Sequence, residues 1–255
     1  YIGDYLVEEV LQRQPREIQE FLLRTSILDR FCAGLCREII TDTGTAEPAA
    51  ATASTLVALE RANLFLVPLD QRQEWYRYHR LFAELLQRLL LQSYGEARVK
   101  ELHLRASRWF EGAGLWSEAV DHALRAGAET RVVNLVETRA ADLFQRSEMP
   151  AVREWILRLP ERLVFQSLPL CVSLGWAAMA TGRVAEVERA VEAIGRGLGL
   201  DMETFRLDPG AIKGMHPGVP ILLANAVILR SSADLTRLRL EQAIEGARSV
   251  LVFAD

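Results

Sequence analysis

The residues best suited to chemistry lie in the stretch 75–82, where His79 stands between Arg77 and Arg80 among aromatic side chains. An imidazole can donate a hydrogen bond to an anion and changes charge near neutral pH. Such a density of polar and aromatic groups, at the junction between a predicted β-hairpin and a predicted amphipathic helix, indicates a sensing element. The alternative is structural: His79 caps the helix or packs beside the neighbouring tyrosines, and the two arginines are solvated.

Other chemistry finds little support in the sequence. Lys100 and Lys213 are the only lysines, and neither stands in the Gly-Lys-Ser/Thr context of a phosphate-binding P-loop. No pair of carboxylates, no nucleophile with its base and no convincing set of metal ligands has the spacing that a reaction needs. The sequence therefore predicts a protein that is not an enzyme and holds no cofactor or metal of its own.

Composition limits the partners and the compartment. The formal net charge of −4 offers no positive cluster for nucleic acid or for an anionic membrane. Cys32, Cys36 and Cys171 are a sparse, odd set without a preceding secretory leader, so we expect a reduced, cytoplasmic protein. Cys32 and Cys36 could face a metal from one helix, but core thiols are the favoured interpretation. The apolar run 221–229 is too short for a membrane span and predicts a buried helix.

Helices followed by one β-hairpin and another helix make up residues 1–94, an order typical of a winged-helix-like domain. Proline at a helix start and apolar residues on one face support the helices. The predicted elements are helices over 5–11, from Pro15 and around Leu35, a loop over 41–54, a helix over 55–62, strands over 64–69 and 74–78, and a helix from Leu81.

Residues 95–255 change to an all-helical pattern with short glycine or proline breaks. Gly114 follows Trp109 and Gly182 follows Trp176, and the two glycines are two tetratricopeptide periods of 34 residues apart. We expect about four helical hairpins stacked into a superhelix with a concave binding face. The fold class is thus mainly α, a winged-helix-like module followed by an incomplete tetratricopeptide-like superhelix, with a long loop over 195–218. The final hairpin breaks off without a cap, so we expect the chain to be a fragment.

Several further side chains could line a ligand site, although packing or solvation is the favoured interpretation for each group. They are His103 and His122 in the first repeat, the tryptophans Trp109, Trp116, Trp155 and Trp176, and the arginines Arg153, Arg158 and Arg162. Gly195, Gly197 and Gly199 superficially resemble a dinucleotide loop, but they follow a predicted helix rather than a strand.

Five ordered blocks resemble the winged-helix end of the signal-transduction ATPase module of large LuxR-type transcriptional activators, those related to the maltose-regulon activator. The blocks are residues 4–11, 21–28, 35–36, 63–70 and 75–82. The continuation through Trp109, Gly114 and His122 is similar to the start of that family's tetratricopeptide-like sensor. The resemblance implies an ATPase domain upstream and a DNA-binding helix-turn-helix downstream, and it weakens after about Gly195.

The resemblance also gives His79 a role. In that family the corresponding histidine contacts the β-phosphate of ADP and latches the winged helix onto the ATPase domain. ATP or ADP is thus expected only for the full-length protein, which is also expected to self-associate. A small-molecule inducer or an inhibitory protein is the expected partner of the superhelix groove.

Two functions of different classes remain at this point. The first is a regulatory fragment that relays occupancy of the superhelix through the winged helix to a nucleotide switch. The second is a stand-alone helical-repeat adaptor that binds peptides or proteins in its groove. The winged-helix blocks favour the first, because an adaptor would not need them.

Overall fold

The computed structural model describes residues 11–41, 49–62, 64–202, 216 and 218–254. The chain divides into two compact units, Tyr1–Ala128 and Glu129–Asp255. The helix predicted over 5–11 falls almost entirely outside the described residues, as does most of the predicted loop over 195–218. The predicted fold class, mainly α with one hairpin and successive helical hairpins, is confirmed.

Among the described residues of the first unit, three helices precede the hairpin and two follow it. Its elements are α1 (Arg16–Thr25), α2 (Ala33–Ile40), α3 (Ala49–Arg61), β1 (Leu66–Pro68), β2 (Tyr76–Tyr78), α4 (Arg80–Gly112) and α5 (Trp116–Arg125). Helix α3 begins inside the segment predicted as a loop, so that prediction was wrong there. The segment is rich in alanine, which has the highest helix propensity of all residues and outweighs the neighbouring threonines.

The hairpin pairs β1 and β2 antiparallel, with Val67 opposite Arg77. Its turn is closed by Asp70, whose carboxylate accepts hydrogen bonds from the backbone N–H groups of Glu74 (3.0 Å) and Trp75 (2.9 Å). These backbone hydrogen bonds, the one from Glu74 foremost, lower the pKa of Asp70. The carboxylate thus fixes the register of the hairpin from within the turn.

A third backbone segment joins the hairpin at Phe31. Its N–H and C=O exchange two hydrogen bonds of 2.8 Å with Tyr76 in an antiparallel bridge. Phe31 also packs its ring 4.7 Å from that of Tyr78, and Tyr78 meets Phe82 edge-on at 6.0 Å. Phe31 and Phe82 are fully buried. The strand β2 is therefore held both by backbone pairing and by the core of the unit.

Helix α4 is kinked at Gly95, which has φ 75° and ψ 170°. Glycine adopts such a positive φ without the steric cost that a side chain would impose. The sequence predicted a domain boundary between residues 94 and 95, at this kink. The part of α4 after the kink nevertheless pairs with α5 inside the first compact unit, and the boundary stays a prediction.

The second unit consists of helices throughout its described residues. They are α6 (Glu129–Gln145), α7 (Met149–Leu157), α8 (Glu161–Gln166), α9 (Leu168–Ala180), α10 (Val184–Leu198), α11 (Gly218–Thr236) and α12 (Leu240–Ala254). Helices α6 and α7, α9 and α10, and α11 and α12 form three successive hairpins. With the end of α4 and α5 in the first unit, the described residues contain the four helical hairpins that the sequence predicted.

Left-handed residues recur where one helix of a hairpin turns into the next. Gly114 (φ 73°) and Gly182 (φ 69°) occupy such turns, and Ser147 (φ 61°) takes the same place between α6 and α7. This backbone conformation satisfies carbonyl groups at a helix end and favours glycine. The glycine spacing noticed in the sequence therefore reports a repeated turn geometry, whereas membership of the tetratricopeptide class stays a prediction.

Helix α11 has 19 residues and is long and apolar enough to cross a membrane by length and composition. Its Leu223, Val227 and Leu229 are nevertheless buried in the core of the second unit. The same helix carries Arg230 and Asp234, of which Asp234 forms an ion pair of 2.8 Å with Arg239. We therefore assign α11 to the protein core, which agrees with the predicted buried helix.

The buried hydroxyl of Tyr78 provides a test of the core. Tyr78 Oη lies 2.7 Å from Thr25 Oγ1, and Thr25 in turn donates to the Phe21 carbonyl. We expect Tyr78→Phe to lower the free energy of unfolding by about 1 kcal/mol, because one buried hydrogen bond is lost while the ring packing remains. Urea unfolding measures this, with the more exposed Tyr94→Phe as the matched control. Equal stability of the two variants would contradict it.

Candidate functional site

His79 stands between the end of β2 and the first residue of α4. Its backbone N–H donates to the Phe65 carbonyl at 2.8 Å, and its own carbonyl accepts from Phe82 and Ala83, each at 3.0 Å. His79 is therefore the N-cap residue of α4 and makes its hydrogen bonds there through the main chain. Its imidazole forms no capping hydrogen bond. The backbone fixes His79 while its side chain stays available.

The side chain of His79 points away from the core. Tyr76 and Tyr78 are buried and Arg77 between them is exposed, as the alternation along a strand requires. His79 continues the exposed side. His79 is thus exposed and occupies the N-cap position of α4 without a side-chain cap hydrogen bond, and its role stays a prediction.

Two arginines flank His79 and differ in their state. Arg80 forms an ion pair of 2.9 Å with Glu84 one turn further along α4. The exposed Arg77 has no ion pair with any residue in the described ranges. Both arginines line an open cleft of about 670 Å³ within the first unit, which His79 does not line. Arg77 is thus the flanking cation that is available to an incoming anion.

An aromatic joint connects the hairpin to the first helical hairpin, and it consists of Arg30, Trp75, Trp109 and Glu118. The Arg30 guanidinium lies over the Trp75 ring at 4.7 Å and pairs with Glu118 of α5. Trp75 meets Trp109 of α4 edge-on at 6.2 Å. Trp109 in turn covers Gly34 at the start of α2, where an added Cβ would lie 3.6 Å from the indole ring.

Two further contacts join the helices after the kink in α4 to earlier residues of the first unit. Arg105 of α4 donates to the Thr41 carbonyl at 2.7 Å, and Arg125 of α5 pairs with Asp29 at 2.9 Å. Charged, aromatic and main-chain contacts therefore tie the segment after the kink to the winged-helix elements. Trp75 immediately precedes β2, so the joint lies at the start of the strand that leads to His79.

His103 and His122 form a buried pair between α4 and α5, with their Nδ1 atoms 2.8 Å apart. A hydrogen bond between two Nδ1 atoms requires one of them to carry hydrogen and the other a lone pair, so the rings are opposite tautomers. Phe110 stacks on His122 at 5.3 Å. The described residues hold no group of three or more metal-ligating side chains. The contacts of the pair lie between α4 and α5 and pack the two helices together.

Burial is the main cause that lowers the pKa of both histidines, to about 4 for His103 and about 3 for His122. The charge of Arg125 lowers each pKa further, whereas Asp29 opposes the shift. Both rings are therefore neutral near pH 7. The sequence had left these residues as ordinary polar positions, because nothing local indicates that two histidines 19 positions apart will meet.

Several of the other candidate side chains are engaged in packing or ion pairs. Trp176 donates through Nε1 to the Asn225 side chain at 2.7 Å and packs on the second unit's core. Arg153 pairs with Glu186, Arg162 pairs with Glu129, and Arg158 lies 5.5 Å over Trp155. The three arginines therefore do not form an open anion-binding strip.

The three cysteines are free thiols, and two of them are buried. Burial raises the pKa of Cys36, with a further contribution from Cys32, and burial raises that of Cys171 to about 11. Protonated buried thiols are poor metal ligands and poor nucleophiles. This state agrees with the interpretation as core residues.

These elements thus define a class of protein. Its members have a winged-helix module with an exposed histidine at its hairpin, and helical hairpins follow that module. Residues 7–98 match the family model of the MalT winged helix domain. Over 198 residues the chain is 35% identical to the serine/threonine-protein kinase PknK of Mycobacterium tuberculosis, covering 78% of this chain and 17% of the kinase.

Two Yersinia proteins named HTH-type transcriptional regulator MalT are also similar. Those of Yersinia enterocolitica and Yersinia pestis are each 32% identical over 192 residues, 75% of this chain and 20% of the relative. The chain thus spans a fifth or less of the length of these curated relatives. Residues 7–98 are thus similar to the MalT winged helix domain, and about three quarters of the chain is similar to a part of these longer relatives.

The neutral histidine pair predicts acid sensitivity of the first unit. Because both folded pKa values lie below the ordinary value of about 6.5, the unfolded chain binds more protons than the folded one at mildly acidic pH. We therefore expect the free energy of unfolding to fall as the pH decreases from about 6.5 towards 4.

Urea unfolding at a series of pH values measures this dependence. The double substitution of His103 and His122 by leucine removes both titrating groups and should flatten the profile over that range. His216→Leu, which replaces an exposed histidine of the second unit, is the control. A profile equally steep in the double variant would exclude the pair as its source.

The aromatic joint predicts a measurable coupling between Arg30 and Glu118, whose side chains are 40% and 28% exposed. In a double-mutant cycle with glutamine at either or both positions, we expect about 0.5–1 kcal/mol of coupling in the free energy of unfolding. The more exposed pair Arg125 and Asp29 serves as the reference and should give a value near zero. Equal coupling in the two cycles would show that Trp75 adds nothing to the first pair.

Proposed function

We propose that this chain is the regulatory part of an ATP-dependent, LuxR-type transcriptional regulator. In this proposal the helical hairpins bind an effector, and the winged helix passes its occupancy to a nucleotide switch. The match of residues 7–98 to the MalT winged helix domain supports this, as do the relatives named as transcriptional regulators.

The observation that carries the proposal is the state of His79. Its backbone is fixed by three hydrogen bonds, whereas its exposed imidazole has no hydrogen-bond partner among the described residues. Because the main chain is already fixed, a ligand that binds the imidazole has to order only the side chain. We assign it the role of a latch that donates to the β-phosphate of ADP, with the N-terminus of α4 contributing a favourable field.

A nucleotide bound in this way would supply a diphosphate group whose presence distinguishes two states of the protein. The residues present are compatible with that group: His79 offers a donor, and Arg77 adds an exposed positive charge without an ion-pair partner in the part of the chain described. Tyr78, between them, holds the strand in the core. The remaining phosphate contacts are proposed to come from an ATPase domain that is a partner of this chain.

The aromatic joint supports the relay. It leads from Glu118 on α5 through Arg30 to Trp75, and β2 then leads from Tyr76 to His79. A displacement of α5 would act on the strand that ends at the latch. The proposal thus has a physical connection inside the first unit, formed by described contacts.

The relatives differ in the output that their names describe. One kind is a protein kinase and the other a transcriptional regulator, although each is similar to about three quarters of this chain. This pattern favours a regulatory module that serves several outputs, and it disfavours the stand-alone adaptor. For this chain we propose the transcriptional output, with a DNA-binding domain that lies beyond these 255 residues.

Further parts of the proposal concern partners and place. A small-molecule inducer or an inhibitory protein would occupy the groove of the helical hairpins, and the full-length protein would self-associate when active. We propose a cytoplasmic location and no direct contact of this part with nucleic acid or membrane.

The latch is tested in the protein encoded by the complete reading frame. We expect His79→Ala to weaken ADP binding about tenfold, because one hydrogen bond to a charged group is lost, and to raise reporter transcription without effector. His216→Ala, another exposed histidine, should change neither. Isothermal titration gives the affinity and a reporter gene the output.

Two results would contradict the latch. The first is an ADP affinity that is the same in His79→Ala and in the unchanged protein. The second is submicromolar ADP binding by the 255-residue chain alone, since most phosphate contacts should then be missing.

A further inference from the structure

A cavity of about 350 Å³ opens in the second unit between α10, α11 and the start of α12. Ligand pockets commonly measure about 300 to 1,000 Å³, so this one favours a small molecule. It lies entirely within one compact unit. It shares no residue with the cleft near His79.

The floor of the cavity is apolar. Val191, Met202 and Ala233 form it, and each is buried. Met202 reaches this place because Gly199, with φ 69°, ends α10 and returns the chain so that the Leu200 N–H donates to the Gly195 carbonyl at 2.8 Å. A Cβ on Gly195 would lie only 2.6 Å from Met202 Cγ. Glycine at position 195 therefore gives the methionine its room.

The rim of the cavity carries charges of both signs. Arg239 pairs with Asp234 at 2.8 Å and with Glu188 at 3.3 Å, and both contacts use Nη2. Its Nη1 and Nε donors therefore have no partner in the described part of the chain, and Arg230 brings a second guanidinium to the lining. Glu192, also in the lining, is exposed and has no ion pair with a described residue.

We propose that this cavity binds a small zwitterionic molecule with an apolar side chain, such as a free aliphatic α-amino acid. The ammonium group would meet Glu192, the carboxylate would meet Arg239, and the side chain would cover Val191 and Met202. A purely apolar ligand would desolvate the rim charges without compensation, and a singly charged one would satisfy one sign only. A polyanion such as a nucleotide would face the carboxylates of Glu188 and Glu192.

The binding inference is independent of the proposed relay. Use of the same molecule as an effector rests on the proposed function, since an effector must also change transcription. The two statements are separated by measuring binding on the 255-residue chain and transcription on the complete protein.

L-leucine is the probe for the test, and two molecules with the same branched chain are the comparisons. These are 4-methylpentanoate, which lacks the ammonium group, and 3-methylbutylamine, which lacks the carboxylate. In isothermal titration up to about 10 mM, we expect saturable binding of L-leucine with a Kd of about 1 mM or below. Each comparison molecule should bind at least about tenfold more weakly.

Substitutions at Glu192 test the site itself. Glu192→Gln should weaken L-leucine binding about tenfold, and Glu192→Lys should abolish it by placing a positive charge against the ammonium group. Glu154→Gln, which removes an exposed carboxylate from α7, is the matched control and should bind like the unchanged chain. Thermal unfolding confirms that each variant is folded.

Absence of L-leucine binding at that concentration would overturn the proposal, as would equal affinity for all three probes or equal affinity of Glu192→Lys and the unchanged chain. Binding that meets the expectations, without any effect of L-leucine on reporter transcription, would support the site and remove only its use as an effector site. A failure of His79→Ala to alter ADP affinity would bear on the latch and leave this site unaffected.

Discussion

The antiparallel bridge between Phe31 and Tyr76, together with the burial of Tyr78, is the constraint on which the first unit depends. A two-stranded hairpin is marginally stable by itself. Here the backbone of Phe31 hydrogen-bonds to Tyr76 at the outer edge of β2. The ring of Tyr78 packs between Phe31 and Phe82 and so anchors the strand. Every feature assigned to His79, its exposure included, follows from the fixed direction of this short strand.

The same constraint explains why polar groups cluster around the strand without being buried with it. Alternation sends Tyr76 and Tyr78 inward and leaves Arg77 and His79 outside. The residues that hold the strand and the residues that could meet an anion are therefore interleaved along the chain. We expect a substitution on the inner side to lower stability, whereas under the proposed function one on the outer side would weaken anion binding.

The sequence allowed the elements with local signals to be predicted. The stripe of apolar residues that starts at Leu81 predicted the first part of α4. Asp70 closes a turn where the sequence predicted a polar turn. Helix α3 was misplaced because an alanine-rich segment with threonine resembles a loop in composition. The contacts of His103 with His122 and of Arg30 with Glu118 join residues 19 and 88 positions apart, and no periodicity predicts such pairs. The role of His79 came from a resemblance, and its exposure became known only from the fold.

The kink at Gly95 has a consequence for anyone who dissects this protein. It marks the place where the composition of the chain changes, and a fragment cut there would seem to contain a whole domain. Such a fragment would lack Trp109 and Glu118. The indole of Trp75 would then lose its contact with Trp109, the guanidinium of Arg30 would lose its ion pair with Glu118, and both groups would be exposed to water there. A soluble winged-helix fragment would have to extend to about Ala128, where the first compact unit ends. The boundary predicted after residue 94 and the end of the first compact unit at Ala128 are thus about one helical hairpin apart.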